Sequence, residues 1–291
     1  MQPSALLPSR LLLSLLLGCL LGSLAGPASA QSDAGGPVRV GGGEALTIGG
    51  LLQTDAYLNR AQSDGFRIRT TRLRLGGEAQ NLQYVVQTDF ASPSVLLDAF
   101  ARLPLTNEVR VTAGLFKAPF GAEILTGRPN LLFAERSRAA NQLPPGRQAG
   151  ATLSATLLPD RLTATAGAFN GVGGLQPNDN DHLLYVGRLA GTVPLGFMTL
   201  DTGANAGYSV DDGVPRPGLG IPFAGSRFLF GADARLTGNR WLLAGELNGT
   251  RFDPDGPADA QTALGYYVAG GVDAAEDHQF LVRLDHFNPD V

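Results

Sequence analysis

The chain has 291 residues, a net charge of −4, 39 glycines and one cysteine. Such a mild charge gives no reason to expect a nucleic-acid partner, which selects a strongly basic surface. The glycines follow no three-residue period, which excludes a collagen-like chain, and a single cysteine excludes a disulfide framework.

Residues 1–30 have the pattern of a signal peptide. Arg10 precedes an apolar run from Leu11 to Leu21, and Ala28-Ser29-Ala30 matches a small-residue cleavage site. The run is too short to anchor the chain in a bilayer as a helix. A lipoprotein signal at Leu16-Leu17-Gly18-Cys19 is the alternative, although a better cleavage site follows it. We therefore expect an exported protein whose small, glycine-rich residues 31–44 are disordered.

From Ala45 onward the sequence is a series of short alternating runs separated by turn residues, the pattern of β-strands with one apolar and one polar face. Strands are predicted over 45–58, 66–78, 82–90, 95–103, 108–116, 147–157, 161–169, 182–192, 199–209, 227–237, 240–251, 263–273 and 278–287. Many runs are about ten residues long, which suits a transmembrane β-strand, and no segment keeps a helical period.

Turns and aromatic residues favour an outer-membrane barrel over a soluble sheet. Tight turns such as Gly238-Asn239 alternate with longer loops such as 170–181, as in such barrels. Aromatic residues such as Tyr57, Phe169 and Trp241 lie at strand ends, which suits the girdles at the two membrane interfaces.

A long basic loop follows the strand predicted over 108–116. Pro119 has no N–H to donate and must end the strand, and about 26 residues without a period follow, a length that is usually functional. Its basic residues and those at its ends are Lys117, Arg128, Arg136, Arg138 and Arg147. Either they line a constriction, or Glu123 and Glu135 pair with them and fix the loop to the wall. The apolar run 131–133 is expected to pack against that wall.

Four arginines lie close together in the strand predicted over 66–78: Arg67, Arg69, Arg72 and Arg74. The first two share one alternation phase and the last two share the other, so a bulge at Thr70-Thr71 would bring all four to one face. In a barrel that face must be the lumen, because each arginine facing lipid would cost about 2–4 kcal/mol. They form either an anion ladder or pairs with lumenal acids such as Asp89, Asp98 and Glu246.

Several motifs occur in a fixed order: the arginine-rich strand 66–75, the run 96–101, the strand and turn 109–121, the run 131–136 and Pro144-Pro-Gly-Arg147. Together they resemble the phosphate-selective porin O and P family. The resemblance implies a trimeric outer-membrane barrel of about 16 strands, with the loop after Lys117 folded inward and phosphate or polyphosphate as substrate. Two features depart from the family: only about 13 strands are predicted, and Lys117 is the single lysine where the family's phosphate site uses several.

We therefore expect an all-β protein, an antiparallel transmembrane β-barrel of porin type over residues 45–291 that is C-terminally incomplete. The candidate pore-lining residues are Arg67, Arg69, Arg72, Arg74, Arg110, Lys117, Arg128, Arg136, Arg138 and Arg147. The expected function is passage of small anions, with phosphate favoured by the resemblance. The alternatives are a nonselective porin and a plugged structural or adhesive barrel.

The expected location is the outer membrane of a Gram-negative-type bacterium, as a homotrimer surrounded by lipid. No enzyme activity, cofactor or nucleic-acid partner is expected, because the sequence contains no nucleophile elbow or phosphate-binding loop. A metal site is not expected either, since His182, His278 and His286 lack metal-ligand spacing.

Overall fold

The computed structural model describes residues 38–39, 45–57, 65–215, 222–275 and 278–289. The predicted signal peptide lies outside the described residues. So does the region 31–44 that was predicted to be disordered, apart from Val38–Arg39, which form a two-residue strand.

The described residues form one antiparallel sheet of 14 strands that pair in chain order. The strands are β1 (Val38–Arg39), β2 (Ala45–Tyr57), β3 (Gly65–Ala79), β4 (Leu82–Asp89), β5 (Leu96–Pro104), β6 (Val109–Lys117), β7 (Arg147–Leu158), β8 (Leu162–Phe169), β9 (Leu184–Leu195), β10 (Met198–Pro215), β11 (Pro222–Thr237), β12 (Trp241–Pro254), β13 (Gln261–Ala275) and β14 (His278–Asn288). The all-β prediction and every strand predicted from Ala45 onward are confirmed. Within the described strands, no pairing joins β14 to β1 or β2.

Short turns and long loops lie at opposite edges of the sheet. Gln80 and Asn81 alone join β3 to β4, with φ of 48° and 71°, the left-handed conformation that a two-residue hairpin turn needs. At the other edge, residues 118–146 join β6 to β7 and residues 170–183 join β8 to β9. No helix in the described part of the chain is long and apolar enough to cross a membrane.

The two faces of the sheet have opposite chemistry. On β14, Phe280, Val282 and Leu284 are 70%, 69% and 73% exposed. Arg283 and Asp285 alternate with them on the opposite face and form ion pairs there. A strand that exposes its apolar face and encloses its charges is arranged for lipid outside and water inside.

The long loop between β6 and β7 lies within the curved sheet. It contains helix α1 (Ala122–Leu125), a 3₁₀ helix (Arg128–Asn130) and helix α2 (Arg138–Gln142), none of which was predicted. Its Ala134 carbonyl accepts a hydrogen bond from Arg69 of β3, whereas the Arg138 N–H donates to Asp285 of β14. Because one loop contacts both distant strands, the sheet curves around it, and the prediction of an inward-folded loop is confirmed.

Apolar contacts also hold the loop against the inner wall. Leu132 and Phe133 pack against a cluster that includes Leu242 of β12 and Tyr267 of β13, and the Arg283 guanidinium lies 4.7 Å from the centre of the Phe133 ring. The predicted anchoring of the run 131–133 is confirmed for Leu132 and Phe133. The loop therefore has a fixed position inside the sheet.

One glycine on β6 permits a close approach of strands below this loop. Gly114 has φ of 130°, and a Cβ there would overlap the carbonyl oxygen of Ala99 on β5. We expect Gly114→Ala to destabilise the barrel by about 1–3 kcal/mol through backbone strain, measured as a lower urea midpoint of unfolding in detergent. Gly187→Ala is the matched control, since a Cβ at Gly187 would meet only one atom, at 4.0 Å. An equal loss in both variants would contradict this explanation.

Candidate functional site

A bulge in β3 brings the four clustered arginines to the inner face. Thr70 pairs with Gln53 while Ile68 pairs with Thr54, so Arg69 is the extra residue. A bulge within the arginine cluster was predicted, but its predicted position at Thr70-Thr71 was wrong, since both threonines pair regularly with β2 and Arg69 is the extra residue.

Three of these four arginines have charged partners that show which face they share, and the fourth, Arg74, lines the same cavity as Arg72. Arg67 pairs with Asp55 of β2 at 2.7 Å, and Arg72 Nε lies 3.0 Å from Asp89 Oδ2 of β4. Arg69 reaches the loop, where it donates to the Ala134 carbonyl at 2.8 Å and pairs with Glu135. Arg74 forms no ion pair with the described residues. The ladder is thus partly neutralised by acids on neighbouring elements.

Two further cations are held by neutral oxygen atoms of the loop. Lys117 Nζ donates to the carbonyls of Leu125 and Thr126 at 3.2 and 3.3 Å. Arg136 donates to the Glu123 carbonyl at 2.9 Å and to the Thr126 carbonyl at 2.7 Å. Because carbonyl oxygens carry no net charge, these contacts fix the two cations in place without neutralising them.

Arg128 lies beside them on the 3₁₀ helix. Its Nε is buried and has no hydrogen-bond partner among the described residues. Burial and the neighbouring Arg72 and Arg69 lower the pKa of Arg128, and burial together with Arg128 lowers the pKa of Arg136 to about 10. Both therefore stay protonated at neutral pH, and the lowered pKa values reflect burial first and the neighbouring cations second.

These side chains surround a cavity of about 340 Å³, the basic cavity. Its charged lining is one acid and six cations: Asp89, Arg69, Arg72, Lys117, Arg128, Arg136 and Arg147. Arg147 is paired in a bidentate way, since its guanidinium makes two hydrogen bonds of 2.9 Å to Asp98.

A second cavity of about 490 Å³, the lower cavity, continues toward the short-turn edge. It shares Arg72, Lys117 and Arg147 with the basic cavity and adds Arg74, Arg102 and Arg110. Arg102 was not predicted as a lining residue. It has the same alternation phase as Asp98 on β5, and that phase could have identified it. The two cavities adjoin each other at these three shared residues, and their basic side chains lie on β3 to β7 and on the long loop.

Other charged residues inside the sheet lie outside these two cavities. Of the predicted pore-lining residues, Arg67 and Arg138 line neither cavity. Arg138 lies on α2 with its guanidinium 5.6 Å from the centre of the Phe287 ring. A third cavity of about 480 Å³ faces β8 to β13 and has mixed charges, with acids such as Glu123 and Asp201 beside arginines such as Arg161 and Arg235. The basic residues are therefore concentrated on one side of the loop. The described residues contain no group of side chains able to hold a metal ion.

Solved structures with the same fold are outer-membrane proteins. OmpT of Vibrio cholerae is 12% identical, with a TM-score of 0.61 over 88% of this chain and 80% of that one. A trimer form of OmpT gives 0.58 at 13% identity over 85% and 80% of the two chains. The anion-selective porin from Comamonas acidovorans gives 0.58 at 15% identity over 84% and 79%. At these identities the likeness establishes the fold, an outer-membrane β-barrel of porin type.

The sequence comparisons give the family. No curated protein matches the chain. The family model described as phosphate-selective porin O and P matches residues 47–208, more than half of the chain and the part that contains β3 and the long loop. The chain is an outer-membrane porin and belongs to the phosphate-selective porin O and P family.

Proposed function

We propose that this porin passes small anions, phosphate among them, through its arginine-lined lumen. The observation that carries the proposal is the pair of adjoining cavities with their excess of basic side chains. Six of those basic residues form no ion pair with the described residues. Two of the six, Arg128 and Arg136, stay protonated at neutral pH, so their charge is available to an ion in the lumen.

The mechanism is passive. A small anion that enters the basic cavity exchanges part of its hydration for charge-assisted hydrogen bonds from guanidinium and ammonium groups. Arg72, Lys117 and Arg147 line both cavities, so the anion can move to the lower cavity without losing every cationic partner. Contacts spread over several such groups let the ion enter and also leave.

The loop narrows this path and strengthens its field. It occupies the interior between β3 and β14 and places Arg128 and Arg136 opposite the arginines of β3. A narrow passage with low-dielectric walls and one sign of charge concentrates the electrostatic potential and raises the local anion concentration.

The comparisons agree with this proposal at two levels. The porin from Comamonas acidovorans, which shares the fold, is described as anion-selective. Phosphate is favoured because the family that includes this chain is described as phosphate-selective. The OmpT trimer form supports a homotrimer in the lipid of the outer membrane, reached by way of the predicted signal peptide.

Ion selectivity in a planar bilayer tests the function. With full-length protein purified from outer membranes, we expect the reversal potential in a KCl gradient to show anion preference, and added phosphate to reduce the chloride current. Equal permeability to potassium and chloride would instead identify a nonselective porin. Inserted, heat-modifiable protein that conducts no current would identify a plugged structural barrel.

A further inference from the structure

A buried glutamate of β12 holds the long loop against the inner wall. Glu246 is 3% exposed, and its Oε2 accepts a hydrogen bond of 2.7 Å from the backbone N–H of Glu123, within α1. Its Oε1 accepts another of 2.7 Å from Asn248. A Cβ at Gly121 would lie 2.6 Å from Oε1, so the glycine allows the loop backbone to lie directly against this carboxylate.

Glu123 extends this attachment to the rest of the loop. Its Oε2 accepts hydrogen bonds from the N–H and the hydroxyl of Ser137 at 2.9 and 2.6 Å, and Ser137 caps α2. Its Oε1 lies 3.3 Å from the Arg283 guanidinium of β14. The two helices of the loop are thereby joined to each other and to two strands of the wall.

The opposite end of α1 carries the cations of the basic cavity. The carbonyls of Leu125 and Thr126 hold Lys117, and the Thr126 carbonyl also holds Arg136. Glu246 itself is absent from the lining of both the basic and the lower cavity. Its connection to the ion path therefore runs through the backbone of α1.

We propose that Glu246 is a positioning residue for ion selectivity: it fixes α1 so that Lys117 and Arg136 point into the basic cavity. This inference rests on the proposed anion passage. It explains why an anion pore encloses a carboxylate near its constriction, where a negative charge acting alone would oppose the function.

The positioning role and a simple charge role predict opposite signs. An acid that acts only through its charge repels anions, so its removal increases anion preference. If Glu246 fixes α1, its removal frees the segment that carries Lys117 and Arg136, and anion preference decreases. The direction of the change in reversal potential distinguishes the two roles.

The test compares three variants with the wild type in planar bilayers under a KCl gradient. We expect Glu246→Gln to lower the anion-to-cation permeability ratio about two-fold and to increase open-channel current noise. The two carboxylate oxygens of Glu246 each accept a hydrogen bond, and the single amide oxygen of glutamine can replace only one of them. Ser137→Ala changes no charge and removes the hydroxyl's hydrogen bond to Glu123, leaving only the one from the backbone N–H, so it should lower the ratio as well. Asp201→Asn is the control: among the described residues this exposed lumenal acid accepts a side-chain hydrogen bond only from the Thr192 hydroxyl, at 2.6 Å, and the loss of its charge should raise the ratio.

The inference is overturned if Glu246→Gln shifts the ratio in the same direction as Asp201→Asn. Where Glu246→Gln yields no folded barrel, Ser137→Ala decides, and an unchanged ratio in that variant overturns the inference. A wild-type pore without anion preference would refute the proposed function instead. In that case the current noise of Ser137→Ala still shows whether these contacts fix the loop.

Discussion

Replacing Lys117, Arg128 and Arg136 together with glutamine is expected to abolish most of the anion preference of the pore. The three cations line the basic cavity, and none forms an ion pair with the described residues, so no acid is left unpaired by the change. We expect the anion-to-cation permeability ratio to fall about ten-fold and the phosphate block of chloride current to weaken. The permeability ratio and the phosphate block are both measured in bilayer recordings of the triple variant and the wild type in the same KCl gradient.

Two arginines outside the ion path provide the control. Arg138 belongs to the same loop but contacts Phe287 of β14, and Arg251 lies at the long-loop end of β12, 3.3 Å from Asp253. Replacing both with glutamine removes positive charge without changing the lining of the basic cavity or of the lower cavity. The reversal potential should therefore stay close to that of the wild type. A shift equal to that of the triple variant would mean that total charge, rather than the basic cavity, determines selectivity.

The strands were predictable because one physical signal governs each of them. A strand between lipid and water must alternate apolar and polar side chains along its whole length, and the sequence does so from β2 to β14. The far ends of β10 and β11 were missed, because the Asp211-Asp-Gly-Val-Pro215 run has turn chemistry. In the structure, Gly213 adopts φ of 74° where the register shifts, so the strand continues through a bulge.

The site was predictable only where it belongs to a strand. The cost of an arginine in lipid was enough to place Arg67 and Arg74 on one face and to require a bulge between them. Inside the loop there is no period, so the sequence could not separate Arg136, which lines the basic cavity, from Arg138, which does not. That separation comes from Ser137, whose hydroxyl accepts a hydrogen bond from the Ala140 N–H and starts α2 between the two arginines.

Contacts between segments that are distant in the chain could not be predicted from the sequence. Glu123 and Glu135 were considered as partners for the basic residues of their own loop. The Glu123 carboxylate instead pairs with Arg283, and the Glu135 carboxylate pairs with Arg69. These partners became neighbours only because the sheet curves around the loop, which no local pattern encodes.

A second large effect is expected at an ion pair that crosses a strand of the wall. Arg188 of β9 makes hydrogen bonds of 2.6 and 2.9 Å to Asp233 of β11, and their side chains are 11% and 8% exposed. The guanidinium passes over β10 at Gly203, where a Cβ would overlap it. The missing side chain at Gly203 therefore lets residues two strands apart pair directly.

Arg188→Met should lower the free energy of unfolding by about 3–5 kcal/mol, because it leaves Asp233 buried beside the wall without its cation. The double variant Arg188→Met/Asp233→Leu removes both charges and should recover much of that loss, since replacing a whole buried pair with apolar side chains is far less costly than breaking it. Urea midpoints of the two variants and the wild type, measured in the same detergent micelles, give the comparison. If the double variant is as unstable as the single one, the uncompensated charge is not the cause, and the loss comes from the packing of the Arg188 side chain over Gly203.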